Sequence, residues 1–305
     1  MRKSYSNPII PYSEKRNTSD PFVVRHNGFY YHCYANREGV FIAKSKTLWG
    51  LDNDSNPVKV YDCQKQGALQ HWYAPELHFI DGVWYIYGAP DYGDNLHVMT
   101  VLSRKDDNPL GVYVLEGQMH GLENVWSIDG TPFYYQNRWW FCWTDCWQMY
   151  LAQMDNPIGV VGEKLILTKP EYDFEKQGSP VNEGAAALVH KGKLFIVYSA
   201  SDSKDDGYCL GLLEFLGDSA EDMLRKEKWY KYTSAVFEKT QDVFGPGHCS
   251  FTKVNVDGVD EDYIVYHANE KSGTGWNGRS VWTQKFVFDK NGRPLFGKPQ
   301  RECMA

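Results

Sequence analysis

The chain has 305 residues, 42% hydrophobic and 15% aromatic, enough for one large all-β domain with a sizeable core. A formal net charge of −7 with no basic run argues against a nucleic-acid partner, and no apolar stretch approaches the ~20 residues of a membrane-spanning helix. The seven cysteines are scattered without paired or metal-ligand spacing, which removes the case for a disulfide framework or a zinc site.

At the N-terminus, Met1-Arg2-Lys3 is followed by no apolar segment, so a secretory signal is not expected and the address expected is cytoplasmic. A secreted chain whose leader has been removed reads the same way. Thr18-Ser19-Asp20-Pro21 comes next, its aspartate held extended by the proline. An Asp-Pro is equally at home in a plain turn. After the turn signal Asn27-Gly28 an aromatic strand runs from Gly28 to Tyr34 and includes Cys33, a small buried hydrophobe by this reading.

The same unit then returns. Trp72-Tyr73-Ala74-Pro75-Glu76 precedes the turn Asp81-Gly82 and a strand to Tyr87. Ser127-Ile128-Asp129-Gly130-Thr131 precedes a strand from Asn137 to Trp143. Asp129-Gly130 alone also fits an ordinary turn. Cys142 and Cys146 lie roughly 13 Å apart on an extended strand, too far to bond, and a reduced protein is expected. Val181-Asn182-Glu183-Gly184 precedes a strand from Gly192 to Tyr198. Glu183 sits among small apolar residues with little positive charge nearby, a setting that raises a carboxyl pKa; the plainer reading is a surface glutamate. Ser219 to Lys228 is the best helical segment, with Ser219 as cap and Asp222 at the third position of a capping box. Gly245-Pro246-Gly247-His248 precedes the last strand, Asp260 to Tyr266. Gly273-Thr274-Gly275-Trp276-Asn277-Gly278 has the spacing of a dinucleotide loop, but a strand follows it, from Val281 to Phe288, so a hairpin loop is expected. Asn291-Gly292 marks a final turn.

The unit recurs every ~55 residues, near the period range of repeat architectures. Four strands fit in each repeat, which predicts a five-bladed β-propeller occupying residues 1–305 as a single catalytic domain. A β-sandwich or tandem β modules are the alternatives. In a propeller the inner strand of each blade lines the axis. Asp20, Glu76, Asp129, Glu183 and His248, each ahead of an outer-strand run, would then face a common centre.

Opposed carboxyls are the minimum apparatus for glycoside hydrolysis: one protonates the leaving oxygen, the other activates water or attacks the sugar. A serine hydrolase has no nucleophile elbow to support it. With these motifs in order from Ser19 to Gln284, the chain resembles glycoside hydrolase family 43, the five-bladed propeller hydrolases. The matching residues include Ser19-Asp20-Pro21, Pro75-Glu76, Ile128-Asp129-Gly130, Val181-Asn182-Glu183-Gly184, Gly247-His248, Tyr266-His267, Arg279 and Gln284. The resemblance implies Asp20 as general base, Glu183 as general acid, Asp129 as the residue that orients the acid, and inversion at the anomeric carbon. It implies Arg279 as a sugar contact and His248 at the channel floor, where the family often holds a calcium or other ion through water. A buried, hydrogen-bonded histidine is the alternative. No cofactor is required for the chemistry.

Departures from the family pattern are Tyr73 in place of its usual Trp, Ala185 in place of a proline, and Cys249 in place of an asparagine. Trp72, Trp126 and Trp147 are candidate rings for sugar stacking, against ordinary packing roles. Lys169 to Glu175 and Phe244 to Thr252 are most similar to the exo-acting α-L-arabinofuranosidases of α-1,5-arabinan, so the expected partner is an arabinose-containing oligosaccharide or polysaccharide. The chain ends soon after Phe296, where two-domain β-xylosidases of the family continue into a sandwich. A single-domain β-xylosidase, an endo-arabinanase and a non-catalytic carbohydrate-binding propeller are the other readings.

Overall fold

A computed structural model describes residues 4–13, 16–52, 56–65 and 69–304; the first three residues of the N-terminal segment read above lie outside these. Each repeat is one blade of a five-bladed propeller. Blade 1 runs through Phe22–His26, Phe29–Asn36, Gly39–Ser45 and Val58–Asp62, paired antiparallel in chain order. Blades 2, 3 and 4 begin with Gln70–Ile80, Ile128–Tyr135 and Asn182–His190 and have the same four-strand order. The recurring aromatic runs are the second strands, directly beside the inner ones, rather than outer strands. They are apolar on both faces because each blade is packed between two others; Leu194 to Ala200 is buried throughout.

The turns joining first and second strands explain the Asn-Gly and Asp-Gly pairs. Asn27-Gly28, Asp81-Gly82 and Asp257-Gly258 all take positive φ at both residues, the twist a two-residue hairpin needs. A second left-handed position recurs at the other end of the inner strand. Asp20, Ala74, Asp129, Gly184 and His248 have φ of 51, 38, 54, 57 and 37°. In blades 2 to 5 the pairing register breaks beside these residues. Such bulges bend a strand and re-aim its side chains, here toward the axis.

Blade 5 departs from the four-strand expectation. It has three paired strands, Phe244–Val256, Val259–Asn269 and Ser280–Lys285. The N-terminal segment lies along the third: Ile9 N–H donates to Val281 O at 2.8 Å and Val281 N–H donates to Ile10 O at 2.9 Å. Asn7 reinforces this with its side chain, donating to Thr283 O and accepting from Thr283 N–H. Chain start and chain end are thereby fastened together, and Ser4–Ser6 pairs with Glu302–Met304.

The helix expected over Ser219 to Lys228 is instead two short 3-10 turns, Glu221–Leu224 and Lys226–Lys228. Ser219 Oγ does bond Asp222, at 3.3 Å. Arg225 is extended between the two turns, where it bonds Asp222 on one side and Glu227 on the other, and this breaks the helix.

The core is divided into wedges between neighbouring blades. Between blades 4 and 5, Phe195, Val197 and Leu212 meet Ile264, Tyr266 and Trp282; between blades 1 and 2, Tyr31 and Ile42 meet Leu77, Trp84 and Ile86. Fully burying one such side chain contributes roughly 1.5–3 kcal/mol. All seven cysteines are free thiols, and Cys33 and Cys142 are fully buried in these wedges.

Candidate active site

The bulged inner strands of blades 3, 4 and 5 bring Asp129, Glu183 and His248 together with Asp20, which stands just ahead of the inner strand of blade 1. His248 Nδ1 stands 3.3 Å from Asp20 Oδ1 and 3.9 Å from Asp129 Oδ2. Asp129 Oδ2 also accepts the backbone N–H of Gly184, next to Glu183, at 3.1 Å. The glycine at 184 meets two demands. Its φ is +57°, and a Cβ there would lie 3.0 Å from both His248 Nδ1 and Ser199 Oγ. Glu76 is buried a step away, 2.8 Å from His78 Nε2.

Environment separates the carboxyls. Burial raises the pKa of Asp20, but the charges of His248 and Arg279, with a hydrogen bond from His248, outweigh it and hold the group well below the ordinary carboxylate range. For Glu183, burial acts first, the charge of Asp129 adds to it, and the pKa is pushed up to about 8. Asp129 is itself pushed up to about 6, by burial and then by Asp20, against the pull of His248. Asp129 and Glu183 interact closely, so their titrations belong to the pair. His248 loses hydration, yet Asp20 and Asp129 overcompensate and push its imidazole up to about 10. At neutral pH the site therefore holds an ionised Asp20, a charged His248 and a protonated Glu183.

Arg279 NH1 lies 3.6 Å from Asp20 Oδ1, and Thr18 Oγ1 donates to the Arg279 carbonyl at 2.5 Å. This ties the Thr18-Ser19-Asp20 segment of blade 1 to blade 5. His267 Nδ1 accepts the N–H of Asp20 at 3.1 Å. It therefore acts as a neutral imidazole, consistent with burial pushing its pKa down to about 4. Tyr208 donates its hydroxyl proton to Glu183 Oε1 at 2.7 Å. Sequence reasoning gave no role to Tyr208 or His267. His267 follows a recurring strand and was legible as part of a motif, whereas Tyr208 comes from a loop end with no repeat to mark it.

The aromatic candidates separate. Trp72 is 3% exposed, gives its indole N–H to Leu69 O at 3.0 Å and packs edge-on against Tyr61. Tyr73 is 42% exposed and lies flat on His97, ring centres 3.8 Å apart. Trp126 meets the same histidine edge-on at 5.3 Å, so Tyr73, His97 and Trp126 form a continuous wall. Trp147 is 59% exposed on the rim, beside Cys146, whose thiol burial and the charge of Glu183 push up to about 12. An open cavity of about 280 Å³ lies beside Asp20, lined by Ser19, Arg279, Trp72, Tyr73, Trp276 and Arg16. The hairpin loop at Gly273 to Gly278 thus supplies a wall: Trp276 Nε1 donates to Ser203 Oγ at 3.0 Å, and Gly273 N–H to Asp206 Oδ1 at 3.0 Å.

The ion expected near His248 would be held through water and not by the ring. His248 Nδ1 faces the carboxylates of Asp20 and Asp129 and is not placed to ligate an ion directly. Among the described residues no group of three or more His, Cys, Asp and Glu side chains is placed to hold a metal ion.

Residues 5–294 match the family model of glycosyl hydrolases family 43. The chain is 32% identical to an extracellular exo-alpha-(1->5)-L-arabinofuranosidase of Streptomyces avermitilis, over 97% of this chain and 64% of that protein. It is 32% identical to a protein of the same name from Streptomyces chartreusis, over 87% of this chain and 83% of the relative. It thus spans just under two thirds of the first relative's length and more of the second's. The crystal structure of an alpha-L-arabinofuranosidase from Lactobacillus brevis superimposes with a TM-score of 0.85 at 31% identity, covering 97% of each chain.

Proposed function

The chain belongs to glycosyl hydrolases family 43, and we propose that it is an inverting, exo-acting α-L-arabinofuranosidase. Its substrate on this reading is the terminal arabinofuranose of α-1,5-linked arabinan or arabino-oligosaccharides. Asp20, ionised, takes a proton from water as the water oxygen attacks the anomeric carbon. Glu183, protonated, gives its proton to the glycosidic oxygen as the carbon–oxygen bond breaks on the opposite face. One water is consumed, and a sugar of inverted configuration and an alcohol are released. Asp20 ends protonated and Glu183 ionised, and proton exchange with solvent resets both.

The observation that carries this reading is the opposite displacement of two buried carboxyls in one site. Asp20 is held low and Glu183 is pushed up to about 8. Groups whose environments drive their pKa values apart are suited to base and acid roles. Asp129 supplies the negative charge that keeps Glu183 protonated and, through Gly184, orients it. Arg279 reaches the sugar from the base side, and Tyr73 and Trp126 offer apolar faces to it. The choice of arabinose rests on the names of the relatives at 31–32% identity.

The test is a panel of aryl glycosides with linear arabino-oligosaccharides, products separated by size. Arabinose released one unit at a time supports the reading. Release of xylose alone, internal cleavage, or binding without turnover contradicts it.

A further inference from the structure

We propose that Tyr208 is a positioning residue for the general acid, fixing which oxygen of Glu183 carries the proton and holding acid and base on one rigid support. The proposal rests on the reading of Glu183 as the acid.

Tyr208 is buried, and its hydroxyl donates to Glu183 Oε1 at 2.7 Å. Ser199 hydrogen-bonds the same phenol, while Ser199 Oγ accepts the N–H of His248 at 2.8 Å. With the single phenol proton given to Glu183, the phenol oxygen is left to accept, and the Ser199 hydroxyl, whose bond lowers the phenol pKa, donates to it. An Oε1 that accepts is the carbonyl oxygen of a protonated carboxyl, so the proton sits on Oε2, free to be delivered to a leaving group.

The ring has a second task. It lies parallel to the ring of His267, centres 5.5 Å apart and planes 1° apart. His267 in turn accepts the backbone N–H of Asp20 at 3.1 Å. A single stack thus connects the residue behind the acid with the residue behind the base. The slot is kept open by Gly247, which faces His267 in the strand register. A Cβ at Gly247 would lie 2.1 Å from Tyr208 Cε1 and 2.3 Å from Cδ1. No side chain larger than hydrogen fits there without moving the tyrosine.

The test compares wild type, Tyr208→Phe and Gly247→Ala on two substrates, an arabino-oligosaccharide and a dinitrophenyl α-L-arabinofuranoside. The first has a poor leaving group that needs a proton, the second an activated one that does not. Tyr208→Phe keeps the stack and removes the hydrogen bond. It should lower kcat on the oligosaccharide by roughly 10–100-fold, less than the ~10²–10⁴-fold of losing a general acid outright. KM should change by less than about 3-fold, and so should kcat on the dinitrophenyl substrate. The alkaline limb of kcat/KM should move to higher pH, because the lost bond favoured the ionised carboxylate. Gly247→Ala, which displaces the ring from His267 with its hydroxyl intact, should slow both substrates, the oligosaccharide more, and decides the matter if Tyr208→Phe fails to fold; an equal loss on both or no loss on either counts against the proposal. Equal losses on both substrates in Tyr208→Phe, or an unmoved alkaline limb, overturn the proposal. Glu183→Gln is assayed alongside. If it stays active on the oligosaccharide, the acid assignment itself is wrong. If it is inactive while Tyr208→Phe is normal, only the role of Tyr208 falls.

Discussion

Asp129 Oδ2 accepts the backbone N–H of Gly184 at 3.1 Å, so the middle carboxylate is fastened to the peptide beside Glu183. One side chain thus acts on Glu183, the acid of the proposed mechanism, in two ways, by orientation through the backbone and by like charge through space. Asp129→Asn keeps a comparable shape and removes the charge. The pKa of Glu183 should fall, and the acid must be protonated to work, so the alkaline limb of kcat/KM should move to lower pH. Measured pH profiles should show that shift together with a loss of roughly 10–100-fold in kcat.

On the proposed mechanism, Glu183→Gln and Asp20→Asn each remove one proton-transfer partner. Each should lower kcat on arabino-oligosaccharides by roughly 10²–10⁴-fold. Circular dichroism should be unchanged, since both side chains lie in the site rather than in the wedges. A variant with near-normal turnover would remove that residue from its role.

Neighbouring rings at the start of blade 2 should have separable effects. Trp72→Ala opens a cavity in the core and should cost roughly 3–5 kcal/mol of stability, read from denaturant unfolding. Tyr73→Ala removes a half-exposed ring on His97. It should raise KM several-fold and leave the unfolding midpoint nearly unchanged.

The axis makes stability depend on pH. The pKa of His248 is raised from 6.5 to about 10 on folding, so its stabilising contribution is complete below about pH 6.5 and is lost as pH rises through about 10. Glu183, raised from 4.5 to about 8, acts with the same sign over its own window. Asp20 has the opposite sign: its contribution is present above its ordinary value of 3.8 and is lost as pH falls through the lower folded value. The wild-type Tm should therefore decline between pH 6.5 and 10. Asp20→Asn removes the main charge that raises His248 and should shrink that decline.

The fold was legible because the repeat is written in strong local chemistry. Aromatic runs buried on both faces and two-residue turns at Asn27-Gly28 and Asp81-Gly82 announce a strand pair wherever they occur. The five axis positions were legible for the same reason, since equivalent places in a repeat point the same way. What escaped the sequence came from non-local geometry. Trp72 and Tyr73 both border the cavity, and which of them is left exposed depends on register breaks on either side of Tyr73, which spacing does not reveal. Tyr208 reaches Glu183 from the third strand side of blade 4, 25 residues away in sequence. The closing role of Asn7 and Ile10 needs the two chain ends in contact, which no local pattern encodes. The helix expected at Ser219 failed because Arg225 answers two acidic neighbours in an extended conformation.

The central claim is that Asp20 activates water against one face of the sugar while Glu183 protonates the leaving oxygen on the other. Proton NMR of the sugar first formed from an aryl α-L-arabinofuranoside, recorded before mutarotation, tests it most directly. The account predicts initial appearance of the β-anomer of arabinofuranose. Initial release of the α-anomer would contradict it.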